Sequence, residues 1–164
     1  MSGAVRAYVG LGANLDDPAA HVRRALLELD RLPGTRLAAA SPLYRSPPLG
    51  PADQPDYVNA VARLETVLEP LALLDALQAL EAAHGRVRGG ERWGPRPLDL
   101  DLLLYGGAVI DTPRLTVPHP GLYDRAFVLY PLADIEPQLV FPDGRSLAQA
   151  LARCPGDGLR RLGQ

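Results

Sequence analysis

The sequence predicts an α+β sandwich, and three observations lead there. Strand and helix patterns alternate over the first two-thirds of the chain, and short hairpin signals interrupt that alternation. The balance of 47% hydrophobic to 22% charged residues in a chain of 164 is that of one ordinary folded domain. A chain of this length buries about two-thirds of its unfolded surface without staples, so residues 1–164 are expected to form a single domain.

The elements follow in order. Ala7 to Leu11 reads as a first strand, turned by Gly12-Ala13-Asn14 toward a helix with Asp17 as N-cap and Pro18 at its first position. Val22, Ala25, Leu26, Leu29 and Leu32 recur at helical spacing until Pro33-Gly34. Leu37 to Tyr44 is expected to be a second strand. Residues 46–55 are too rich in proline for helix or inner strand and read as a long functional loop.

Tyr57 to Val67 alternates, with Val58, Ala60, Ala62 and Leu64 on one face and Tyr57, Asn59, Val61, Arg63 and Glu65 on the other. Pro70 opens a second helix in which Leu74, Leu77 and Leu80 are expected to point inward and Gly85 to cap the end after His84. Leu98 to Tyr105 is a strand closed by Gly106-Gly107, with Val109-Ile110 expected to pair back on it. A short irregular helix over Tyr123 to Ile135, an edge strand at Leu139-Val140-Phe141 and a last helix over Leu147 to Arg153 complete the reading.

Composition excludes several chemistries. All 17 basic residues are arginine, so a phosphate loop that needs its lysine and Schiff-base catalysis are both ruled out. The single cysteine, Cys154, allows neither an internal disulfide nor a thiolate metal cluster. A net charge of −2 argues against a nucleic-acid partner. Met1-Ser2-Gly3-Ala4-Val5-Arg6 lacks the basic start and apolar run of a leader, and no membrane span is present, which places the protein in the cytoplasm as an expectation.

The sharpest constellation is Leu98-Asp99-Leu100-Asp101-Leu102. On a strand, residues two apart share a face with Cα atoms roughly 6.6 Å apart, so both carboxylates point one way and the three leucines the other. Two like charges side by side are costly unless a cation neutralises them, and magnesium completed by water and phosphate oxygens suits such a pair. Just before it, residues 85–96 carry four arginines and four glycines around Trp93, the only tryptophan, in a pattern fit to close over polyphosphate. Together these residues predict an enzyme that handles a nucleoside triphosphate with magnesium. His119, set between two prolines, is a candidate hydrogen-bond donor to phosphate. Tyr57 and Asn59 on one strand face, with Phe127, suggest a pocket for a flat heterocycle. His21 and His84 lack metal-ligand partners at helical spacing and are expected at the surface, and Gly10-Leu11-Gly12 falls short of a dinucleotide fingerprint.

The run Trp93-Gly94-Pro95-Arg96-Pro97-Leu98-Asp99-Leu100-Asp101-Leu102-Leu103 closely resembles the signature of the 6-hydroxymethyl-7,8-dihydropterin pyrophosphokinases of folate biosynthesis. Ser46-Pro47-Pro48-Leu49-Gly50, Asp53 to Ala60, Gly85-Arg86-Val87-Arg88, Leu115-Thr116-Val117-Pro118-His119 and Val140-Phe141-Pro142-Asp143-Gly144 are similar to that family in the same order, over about residues 7–145. The resemblance implies a ferredoxin-like sandwich, a mainly antiparallel sheet flanked by helices, acting as a monomer. It implies transfer of pyrophosphate from ATP to the hydroxymethyl group of the reduced pterin, with release of AMP.

By the same resemblance, Asp99 and Asp101 hold two magnesium ions, and Arg86 and Arg96 stabilise charge on the transferring group. Gln78, Glu81, Arg88, Trp93, Leu102, Arg114, Thr116, His119 and Arg125 would serve the nucleotide. The pterin would lie between Tyr57 and Phe127, read by Asn59 and closed in by Ser46, Pro48 and Leu49. Closure of 46–55 and 86–96 would exclude water.

Overall fold

The structure, a computed structural model, describes residues 3–15, 17–47, 55–85 and 97–162. Strand β1 (Val5–Ala13) lies between β4 (Tyr57–Thr66) and β5 (Asp99–Tyr105), antiparallel to both. Beyond β4 come β2 (Thr35–Ala40) and β3 (Tyr44–Ser46), and β8 (Arg160–Arg161) closes the far edge. Helices α1 (Pro18–Leu29) and α2 (Pro70–Ala83) make the crossovers, and α3 (Ala126–Ile135) and α4 (Leu147–Ala152) follow. Two split strand-helix-strand units in one antiparallel sheet give the ferredoxin-like arrangement.

The alternation of each strand decides the layers. Ala7, Val9 and Leu11 of β1, Val58, Ala60, Ala62 and Leu64 of β4, and Leu100 and Leu102 of β5 pack against Val22, Ala25 and Leu29 of α1 and Leu73 and Leu77 of α2. The other face joins Tyr8, Val61, Leu103 and Leu104 to Val128, Leu129 and Leu132 of α3, with Phe141 and Leu147. There the Tyr8 hydroxyl, pushed up to about 12 chiefly by burial, donates to Glu136 at 3.0 Å, and Arg63 meets the same carboxylate oxygen at 2.7 Å.

Helix α1 starts as its sequence demands, with Asp17 accepting from the Ala20 N–H and Pro18 leading the first turn. The second helix turns a different stripe inward: Leu73, Leu77 and Glu81 are its buried residues, while Leu74 and Leu80 are half-buried. Gly85 at φ +95° follows its His84 cap as expected.

The expected strand over Leu37 to Tyr44 is broken in two. Ser41 takes the ladder bonds of Val61 with its backbone N–H and its Oγ, and Pro42 has no N–H to continue the pairing. Val109-Ile110 does not pair with β5. Its place on that edge is taken by Glu81, which accepts from Leu100 N–H, and by His119, whose N–H donates to Leu103 O; β6 (Ile110–Asp111) pairs instead with β7 (Thr116–Val117). Leu139 to Phe141 forms only one bridge, Val140 to Ser146, before Pro142 turns the chain.

The histidines depart most from expectation. His84 is buried, its ring only 1% exposed, and its Nε2 lies 2.6 Å from Glu28. Its Nδ1 lies 2.7 Å from His21 Nδ1 and 3.1 Å from Arg24. Because the arginine can only donate, His84 Nδ1 accepts and Nε2 carries the proton toward Glu28. The group ties the end of α2 to α1.

Candidate active site

Three strands bring the site together by register. Gly12 of β1 stands between Asn59 of β4 and Asp99 of β5, and Gly10 between Val61 and Asp101. With neighbouring strands about 4.8 Å apart, Asn59 and Asp99 face the same space across one glycine. An open cleft of about 690 Å³ lies over them, lined by Gly10, Gly12, Ser46, Pro47, Tyr57, Asn59, Asp99, Asp101, Arg125, Phe127 and Val128 among others.

The glycines make the cleft possible. A Cβ on Gly12 would sit 3.1 Å from Asn59 Nδ2, tighter than ordinary contact. At the heterocycle end, the buried Ser46 hydroxyl donates to Asn59 Oδ1 at 2.7 Å. That bond orients the Asn59 amide, so its NH₂ is the group turned toward Gly12. Tyr57 on β4 and Phe127 on α3 contribute rings to the same lining. Asn14, buried beside this end, donates to Pro55 O at 3.2 Å and so ties the end of β1 to the approach to β4.

At the acidic end, Asp99 and Asp101 are half-buried on the cleft face of β5 while Leu98, Leu100 and Leu102 are buried on the other. This is the two-residue period the sequence demanded. A register shift between Tyr8 and Val9 leaves Leu103 as an extra residue in β5, and its carbonyl accepts the His119 N–H at 3.0 Å. The bulge thereby seats His119 with Nε2 3.9 Å from Asp101 Oδ1.

Gly121 N–H donates to His119 Nδ1 at 3.0 Å, which puts the proton of the neutral ring on Nε2. Burial, and then the Arg125 charge, hold His119 below its ordinary value against the pull of Asp99. At 3.9 Å the contact with Asp101 is too long for a direct hydrogen bond. Arg125 lies over the Phe127 ring at 5.9 Å and against Gly121, where a side chain would collide with the guanidinium.

A family model, 7,8-dihydro-6-hydroxymethylpterin-pyrophosphokinase, matches residues 8–137. The chain belongs to this family. The 2-amino-4-hydroxy-6-hydroxymethyldihydropteridine pyrophosphokinase of Pseudomonas aeruginosa is 60% identical over 96% of this chain and 96% of its own. That of Haemophilus influenzae is 49% identical over 88% and 90%. Among solved structures, wild-type Plasmodium falciparum HPPK-DHPS superposes with a TM-score of 0.70 at 13% identity over 92% of this chain. The chain spans 44% of that longer protein, which supports the fold alone. The reaction of the pyrophosphokinase family, pyrophosphoryl transfer to hydroxymethyldihydropterin in folate biosynthesis, is the reaction of this chain.

Within this pyrophosphokinase, Ser46, Tyr57, Asn59, Asp99, Asp101, Arg125 and Phe127 share one cleft, with His119 at its acidic end. Arg114 pairs with Asp75 at 2.6 Å and reaches Gln78 at 3.5 Å, an exposed group outside the lining, and Thr116 is exposed on β7. Two of the residues assigned to the nucleotide are buried. The Leu102 side chain is in the core on the face away from the cleft. Glu81, 3% exposed, lies beneath β5 and accepts the N–H of Leu100 at 2.7 Å, between the two aspartates. Pro48, Leu49, Arg86, Arg88, Trp93 and Arg96, with the loop reading of 48–54 and 86–96, lie outside the described residues. Gly10, Gly12 and Asn14 were missed as site residues; the sequence signal was the pair of glycines two apart on the first strand.

Proposed function

We propose that this cleft carries out the family's transfer with ATP as donor and magnesium on Asp99 and Asp101, releasing AMP. The observation that supports it is the union, in one cleft, of a ring-and-amide end at Tyr57, Asn59 and Phe127 with a twin-carboxylate end at Asp99 and Asp101. Two half-exposed carboxylates on one strand face are hard oxygen donors. They fit an ion that takes one or two carboxylates and fills its remaining positions with water and phosphate oxygens. Bound there, magnesium would neutralise charge on the polyphosphate and orient it.

The chain's own residues supply the rest. Tyr57 and Phe127 hold the dihydropterin between them, and the Asn59 amide, oriented by Ser46, reads its polar edge. The pterin hydroxymethyl oxygen forms its bond to the β-phosphorus as the bond from that phosphorus to the AMP oxygen breaks, and the hydroxyl proton is released with the products. Arg125 and His119, the latter donating from Nε2, face the phosphates, and Arg86 and Arg96 take up developing charge by family resemblance. Rate acceleration comes chiefly from placing the hydroxyl in line with the β-phosphorus. We assign the enzyme to the cytoplasm as a monomer; no helix among the described residues is long and apolar enough to cross a membrane.

Phosphorus NMR of the products tests the reading. Pyrophosphorylated dihydropterin together with AMP is expected. Monophosphorylated dihydropterin with ADP would overturn the transfer proposed.

A further inference from the structure

Residues 158–162 carry no motif, yet they hold one wall of the cleft. Strand β3, which ends in Ser46, is flanked on its outer side by β8, with Tyr44 opposite Arg161 and Arg45 opposite Arg160. Leu162 N–H donates to Leu43 O at 2.8 Å. Gly158, at φ +81°, approaches Pro47 so closely that a Cβ would stand 3.3 Å from the proline ring. The segment thus touches β3 before, along and just beyond its length, and both Ser46 and Pro47 line the cleft.

Arg161 also reaches the opposite wall. Its Nε donates to the Tyr44 hydroxyl at 3.0 Å and its Nη2 pairs with Asp134 Oδ1 at 2.6 Å, while the Tyr44 hydroxyl donates to Asp134. Three elements close one triangle: β3 through Tyr44, α3 through Asp134 and β8 through Arg161. Phe127 and Asp134 stand at i and i+7 on α3, two turns apart on one face. The triangle therefore fixes β3, which carries Ser46 and supports Asn59, against the helix that carries Phe127.

We propose that Arg161 is a positioning residue for the dihydropterin, setting the separation of β3 from α3 through Tyr44 and Asp134. The proposal rests on the assignment of the dihydropterin to Tyr57, Asn59 and Phe127. A planar guanidinium holds the phenol and the carboxylate at once; without it, the Tyr44–Asp134 bond alone can pivot. Because the Arg161 side chain is half-exposed, it adds little to global stability. Its effect falls on geometry at the pterin end, leaving the carboxylate end on β5, at the other side of the sheet, untouched.

The test compares steady-state kinetics of the full chain with those of Arg161→Ala, Arg161→Lys and Tyr44→Phe, alongside thermal melts. Arg161→Ala is expected to raise KM for the dihydropterin about tenfold, with KM for ATP and kcat within about twofold of wild type. Arg161→Lys, which cannot grip both partners, is expected in between, and Tyr44→Phe to shift the same constant in the same direction. An unchanged dihydropterin KM in Arg161→Ala would overturn the proposal. So would equal losses in both KM values and kcat that follow a lowered melting temperature, the mark of a structural role alone. A wild type that forms AMP without dihydropterin would remove the substrate assignment first, and that control is read before any variant.

Discussion

On the face covered by α1 and α2, strands β1, β4 and β5 present Ala7, Val9, Leu11, Val58, Ala60, Ala62, Leu64, Leu100 and Leu102, all buried. On the face covered by α3 the same strands present Gly10, Gly12, Tyr57, Asn59, Asp99 and Asp101, which line an open cleft. The first face is packed along the strands, whereas the second is packed at Tyr8, Val61, Leu103 and Leu104 and, beyond them, opened by two glycines and left polar. The full face supplies the stability that lets the second face keep costly neighbours, two carboxylates on adjacent same-face positions. Substitutions should divide accordingly, those on the first face changing stability and those on the second changing catalysis.

The largest effect is expected on the cleft face. Asp99→Ala and Asp101→Ala should each lower kcat by about a thousandfold, since each removes an anchor for the charge that offsets the triphosphate. Their melting temperatures in magnesium-free buffer should stay at or above that of wild type, because the like-charge pair is gone. A parallel collapse of melting temperature and kcat would erase the contrast between the faces.

Next comes the packed face. Leu77→Ala removes a fully buried side chain and should cost about 2–5 kcal/mol in urea unfolding, with KM values unchanged in the protein that remains folded. A loss below 1 kcal/mol, about one buried methylene's worth, would mean this face is less tightly filled than its burial indicates.

Gly12→Ala probes the boundary. The added methyl meets Asn59 Nδ2 and should raise KM for the dihydropterin about tenfold, near 1.4 kcal/mol, without changing KM for ATP. An equal change in both would show that the two ends of the cleft do not act separately.

The smallest effect concerns Glu136, at the C-terminal end of α3. Burial alone would raise its carboxyl, but the hydrogen bonds of Tyr8 and Arg63 and the nearby arginine charges outweigh it and leave it below 4.5. A depressed carboxyl contributes stability that is complete above the unfolded value and is lost as pH falls through the folded one. The wild-type melting temperature should therefore fall as pH drops below about 4.5, and Glu136→Gln should flatten that part of the curve. An unaltered acid limb in the variant would place the lost carboxylates elsewhere.

How much of this was legible depends on whether a residue carries a pattern. Asp99 and Asp101, and Tyr57 with Asn59, could be placed on shared faces because the strand period is two and leucines and valines fill the alternate positions. Phe127 and His119 are singled out by residue type, whereas Ser46 and most of the nucleotide residues come from family resemblance, because they lie on separate elements that only the fold brings together. Gly10 and Gly12 were passed over as a failed fingerprint, since a residue that works by lacking a side chain leaves no periodic signal. Glu81 is assigned to the nucleotide by family resemblance, and its burial follows from its place in the Leu73, Leu77 stripe at a spacing of four. An outward N–H on the edge strand β5, that of Leu100, draws it in. Strand β8 was missed because Arg160 and Arg161 show no alternation and gain their places only from the pairing with β3.

The central claim is that the two ends of this cleft act on one reaction. The most direct measurement is AMP release from ATP and magnesium, with and without 6-hydroxymethyl-7,8-dihydropterin, for the wild type, Asp99→Ala and Asp101→Ala. AMP that forms only in the presence of the dihydropterin and is lost in both variants is the predicted result. ADP in its place, AMP without the dihydropterin, or full activity in either aspartate variant would contradict it.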